Sequence, residues 1–69
     1  MNKFMLEYTS GVFCRVLFIN ASSKKAALLA SKKQNIYDIT NITNFELETI
    51  KHYIYMLAVY NLKQWKKTL

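Results

Sequence analysis

The sequence has no proline and only one glycine, one cysteine and one histidine among its 69 residues. Each scarcity excludes something. A loop that cradles phosphate needs several backbone positions without a Cβ, so one glycine rules it out. One cysteine cannot close an intramolecular disulfide, and together with one histidine it falls short of a zinc ligand set. Cys14 has apolar neighbours and is expected as a buried thiol. No long hydrophobic run occurs either. The longest, Tyr53 to Tyr60, is well short of the roughly 20 residues that span a bilayer. Lys3 and Glu7 interrupt the N-terminal stretch, which therefore lacks the profile of a signal peptide. A reducing cytoplasm is the expected compartment.

Acids are scarce as well. Glu7, Asp38, Glu46 and Glu48 face ten Lys and Arg, a formal net charge of +6. Such a surplus on a small body attracts polyanions: nucleic acid, a ribonucleoprotein or an acidic protein face. Arg15 is the one arginine and the other nine are lysines, which also serve plain solvation. The chain is 52% hydrophobic and 14% aromatic, too apolar for disorder, and its length permits one domain, residues 1–69.

The pattern along the chain predicts an α+β fold of order ββαβα, with a short helix and a long C-terminal helix packed on a three-stranded sheet. Residues 3–9 and 12–19 read as a hairpin closed by Thr9-Ser10-Gly11, with Gly11 in the left-handed position. That register pairs Tyr8 with Val12, Leu6 with Cys14 and Phe4 with Val16. It gathers an apolar core face and leaves Lys3, Met5, Glu7, Phe13, Arg15, Leu17 and Ile19 on the other, where Phe13 beside Arg15 either stacks a base or, the preferred reading, is buried by the helices. Residues 23–33 predict a helix capped by Ser22 or Ser23, burying Ala26, Leu29 and Ala30. Residues 35–41 predict a third strand with Tyr37 and Ile39 on one face and Ile36 and Asp38 on the other, pairing with either hairpin strand. Both helices are expected on one face of the sheet.

The last helix starts at a capping box, Thr43 with Glu46, with Ile42 and Leu47 as a hydrophobic staple, and runs to about Lys67. It is roughly 36 Å long and overhangs the strands. Leu47, Ile50, Ile54, Leu57, Ala58 and Trp65 form the face expected on the sheet. A second stripe, Tyr53, Met56 and Tyr60, is left over and reads as a homodimer or partner surface.

No catalytic set emerges. His52 follows Glu48 by four residues, the spacing of a solvated helical pair. Ser10-Gly11 is a turn, with no strand-to-helix junction to make a nucleophile elbow. No enzyme activity, metal or cofactor is expected. The candidate polyanion-binding residues are Lys24, Lys25, Lys32, Lys63, Lys66, Lys67 and Arg15. Lys24 and Lys25 stand in a helix's first turn, where the dipole disfavours cations, which suggests a binding role.

The hairpin, the helix opening with Ser22-x-x-x-Ala26-x-x-x-Ala30 and the strand that follows resemble small phage and mobile-element proteins over residues 3–40. The wealth of Asn, Lys, Ile, Tyr and Phe is similar to that of phage proteins from AT-rich genomes. Lys24-Lys25 departs from the pattern, where acids are common. The resemblance implies a non-enzymatic accessory protein in a bacterial host cell. Such proteins include inhibitors of host enzymes or of bacterial defence, anti-CRISPR proteins among them.

Overall fold

A computed structural model describes residues 1–68. It has the expected element order: β1 Asn2–Ser10, β2 Phe13–Ala21, α1 Lys24–Ser31, β3 Ile36–Asn41 and α2 Leu47–Thr68. The three strands form one antiparallel sheet in the order β2-β1-β3, so the third strand pairs with the first.

The hairpin register differs from expectation. The loop is Gly11-Val12, flanked by the pair Ser10 and Phe13, so Leu6 faces Leu17 and Phe4 faces Ile19. Gly11 has φ 63° and no non-glycine residue nearby has positive φ, the glycine-first pattern of a type II′ turn. The shift against the expected pairing is three residues. Because side chains alternate, an odd shift moves Cys14, Val16 and Phe18 to the opposite face. Phe4, Leu6 and Tyr8 therefore share a face with Phe13, Arg15, Leu17 and Ile19. Lys3, Met5 and Glu7 share the other with Cys14, Val16 and Phe18.

α1 lies on the first of these faces. Phe4, Leu6, Ala21 and Ala27 form the core there, with Leu17, Ile19, Ala26, Ile36 and Ile39 packed around them. Ser23 caps the helix, its Oγ accepting from the Ala26 N–H at 3.1 Å. The buried positions are Ala27 and Ser31, whereas Leu29, expected inside, is 72% exposed. The difference is a rotation of the helix. Ala27 is small enough to let the backbone approach Phe4 and Leu6. Ser31 satisfies itself locally, its hydroxyl donating to the Leu28 carbonyl at 2.7 Å and accepting from the Lys33 N–H at 3.2 Å. The helix ends at Lys32, in the left-handed region at φ 56°, so Lys32 and Lys33 lie past its last turn.

β3 also departs from simple alternation. Asp38 pairs with Glu7 but Ile36 pairs with Tyr8, so Tyr37 is an extra residue in a bulge. Ile36 and Ile39 thereby both reach the α1 core, and Tyr37 turns to the other face.

α2 packs on that other face, against β2, so the two helices sit on opposite sides of the sheet rather than together. Thr43 does not cap it. Its Oγ1 accepts from the Lys3 N–H at 3.0 Å, and its own N–H donates to the Asn41 side chain, so it locks the start of β1 to the end of β3. The first carbonyl to accept within the helix is that of Glu46, from Ile50 at 3.2 Å. Ile42 continues the β3–β1 ladder to the Lys3 carbonyl and is buried.

Candidate functional site

Two surfaces collect the chemistry the sequence pointed to: one end of the sheet and the exposed sides of α2.

The direction of α2 is fixed at two points. Near its start, Leu47 and Ile50 stand beside Lys3, Asn20 and Ile42, at the end of the sheet remote from the hairpin turn. Further on, Asn61 meets Cys14, next to the turn. The Asn61 amide donates to the Cys14 carbonyl at 2.7 Å and accepts from its N–H at 2.8 Å. β2 is an edge strand, so these backbone groups have no strand partner on that side. Residues 62–68 add roughly 10 Å of helix toward the hairpin end.

Lys63, Lys66 and Lys67 therefore gather at the hairpin end. Lys32 and Lys33 arrive there from the other face, since α1 runs from Ala21 toward Tyr8 and Asn35 accepts from the Thr9 N–H at 3.1 Å. The Lys33 ammonium sits 4.8 Å from the centroid of the Tyr8 ring, a cation–π contact. Arg15 is directly opposite Tyr8 on β2 and exposed. Lys24 and Lys25, placed in the first turn of α1 as expected, are at the remote end and do not join this group.

Glu46 and Glu48 are at the start of α2, and Glu7 and Asp38 are paired on the sheet, Glu7 one rung from Arg15. Lys3, Lys24, Lys25 and Lys51 lie away from the hairpin end, Lys51 beside Glu48 at 3.8 Å. Six of the ten basic residues thus gather at the hairpin end. Sequence reasoning included Arg15, Lys32, Lys63, Lys66 and Lys67 in the candidate set but missed Lys33, which the helix end at Lys32 brings onto Tyr8. The exposed aromatic face of Phe13 and Arg15 with Lys3 and Met5 does not exist. Phe13 is half-buried on the α1 side, and Met5 is buried beneath α2.

On α2, Ile50, Leu57, Asn61 and Gln64 are half-buried toward β2. Leu47, Ile54 and Trp65, expected to cover the sheet, are largely exposed. The helix is rotated because Asn61 is held by both of its hydrogen bonds to Cys14. The stripe Tyr53, Met56 and Tyr60 consequently flanks the sheet-facing side. It bounds a cavity of about 230 Å³ with Met5, Glu7 and Val16, and its members remain 45–50% exposed. Phe45 stacks on Tyr53, ring centroids 6.3 Å apart.

Glu7 lines this cavity and is held by Tyr37 from β3. The Tyr37 hydroxyl donates to Glu7 Oε2 at 2.9 Å. Burial of the phenol end, then hydrogen bonding to Cys14 and Glu7, raises its pKa well above the ordinary tyrosine value. Cys14 is half-buried, not enclosed as expected. Among the described residues no three His, Cys, Asp or Glu side chains gather to hold a metal ion. Among the same residues no helix is long and apolar enough to cross a membrane. Comparison with protein-family models, curated proteins and solved structures found no match.

Proposed function

We propose that this protein is a non-enzymatic accessory protein of the phage or mobile-element kind, acting in the cytoplasm of a bacterial host. It binds a polyanion, either nucleic acid or a ribonucleoprotein. The observation that supports this reading is the gathering of six of the ten basic residues at the hairpin end, from α2, β2 and the segment that follows α1. Lysines and one arginine contact phosphates without reading bases, so binding is sequence-tolerant and strongly salt-dependent. Arg15, Lys32, Lys33, Lys63, Lys66 and Lys67 carry it. Lys24 and Lys25 contribute little, because they stand at the remote end.

The test is fluorescence anisotropy with mixed-sequence DNA and RNA across a salt series. Six phosphate contacts on duplex DNA correspond to a log–log salt slope of about −5. Changing Lys33, Lys63 and Lys67 to Gln should flatten the slope by roughly half, whereas Lys24→Gln with Lys25→Gln should leave it nearly unchanged. Absent binding at low salt, or equal losses from the two sets, would count decisively against the assignment.

A second reading is favoured by the open groove beside Tyr53, Met56 and Tyr60. Aromatics and Met dominate the centres of protein interfaces. An inhibitor of a host or defence protein would use this flank, and Tyr53→Lys with Tyr60→Lys would then abolish capture of that protein from a lysate treated with nuclease.

A further inference from the structure

α2 spans 22 of the 69 residues, yet none of its described side chains is buried. In proteins most of a helix's stability comes from tertiary packing of its apolar face. The fold supplies little of it. The buried apolar core is Phe4, Met5, Leu6, Ala21, Ala27 and Ile42, all from other segments. The Cα radius of gyration is 13.0 Å. A compact chain of this length has about 11 Å.

The sheet and the Tyr53 flank account for one side of the helix. On the side beyond the β2 edge runs a different line: Lys51, Tyr55, Ala58 and Leu62, spaced four, three and four residues apart, apolar after its first member. That is the seam spacing of a coiled coil. Tyr55 is 65% exposed and Leu62 53%, with exposed Leu47 and Ile54 alongside. We infer that this seam docks on the same seam of a second copy, with the two α2 helices antiparallel about a two-fold axis.

Three features select a second copy in that orientation. Charge is the first. Glu48 and Lys66 are eighteen residues apart, five full turns, so both flank the seam on the same side; within the chain Glu48 has only an exposed pair with Lys51 at 3.8 Å. An antiparallel pair sets Glu48 against the partner's Lys66, and by symmetry does so twice. A parallel pair would oppose Lys63, Lys66 and Lys67 to themselves. Shape is the second. An axis near the middle of the helix lays Tyr55 over the partner's Ala58, a large side chain on a small one. Area is the third. Leu47, Ile54, Tyr55, Leu62 and Trp65 are each 40–65% exposed. Full burial of these five side chains on both copies would cover at most on the order of 1,000 Å², the lower edge for a specific interface. Lys63 and Lys67 point away from the seam, so self-association leaves them free, while Lys66 is shared with the polyanion surface.

Sedimentation equilibrium of the full chain without nucleic acid tests this. The expected mass is twice 8.1 kDa. Leu62→Lys should return it to a single chain with an unchanged circular dichroism spectrum. Glu48→Lys and Lys66→Glu, both at exposed sites, should each weaken the dimer by roughly tenfold at low salt. The double swap should restore it, a readout that holds even if Leu62→Lys fails to fold. A single-chain mass for the wild type, a dimer surviving in folded Leu62→Lys, or a double swap as weak as the single ones would overturn the inference.

Discussion

The Asn61 side chain reads the Cys14 backbone as a neighbouring strand would, accepting from its N–H at 2.8 Å and donating to its carbonyl at 2.7 Å. One amide thus closes the free edge of β2 at that residue and sets the rotation of α2. Both bonds are partly buried, so removing the amide leaves two backbone groups without partners, at a cost of about 1–3 kcal/mol. Asn61→Ala should lose that much stability in urea unfolding and speed hydrogen exchange at the Cys14 amide. Asn61→Asp sets a carboxylate oxygen against the Cys14 carbonyl in place of a donor, and should be at least as destabilising as Asn61→Ala. An Asn61→Ala protein as stable as wild type would show that α2 is held by other contacts.

Lys32 offers the opposite test, a substitution that stabilises. It is the non-glycine residue at positive φ, in the left-handed conformation that ends α1. Glycine takes that conformation without a Cβ penalty. Lys32→Gly should raise stability by up to about 1 kcal/mol. It should at the same time reduce the salt dependence of polyanion binding by about one phosphate contact. A gain in one measurement with a loss in the other separates the backbone role of this residue from its charge.

The Tyr37–Glu7 bond predicts a pH dependence. The phenol has a raised pKa in the folded protein, so the folded state holds this proton more tightly than the unfolded chain does. Its contribution is therefore fully present below the unfolded tyrosine pKa of about 10 and is lost as pH rises above it. The stability difference between wild type and Tyr37→Phe should be flat from neutral pH to about 10, then shrink in more alkaline solution. Urea titrations at a series of pH values measure it directly. A difference that grows with alkalinity would contradict the assigned direction.

The sequence made the order of elements legible, and with it the Ser23 cap and the reach of the long helix. The hairpin register was not legible, for a physical reason. A register is read from alternation only when one face of the sheet meets water. Here α1 covers one face and α2 the other, so Met5, Val16 and Phe18 are as apolar as Phe4, Leu17 and Ile19. A pairing that collects a clean core face is then attractive and wrong. Thr43 failed as a cap for a similar reason. Its hydroxyl fits the capping pattern, but the Lys3 N–H across the sheet competes for it and holds it. Of the candidate site, five of the seven basic residues converge at the hairpin end. Nothing local in the sequence says that Lys24 and Lys25 stand at the other end, since that follows from the direction in which α1 crosses the sheet.

The central place of β1 also shapes how this chain is made. Its Phe4-Met5-Leu6 segment is synthesised before either neighbour, can zip onto β2 once the Gly11-Val12 turn has emerged, and then waits for β3 some thirty residues later. In that interval a greasy strand margin is bare on the nascent chain, open to any passing extended peptide.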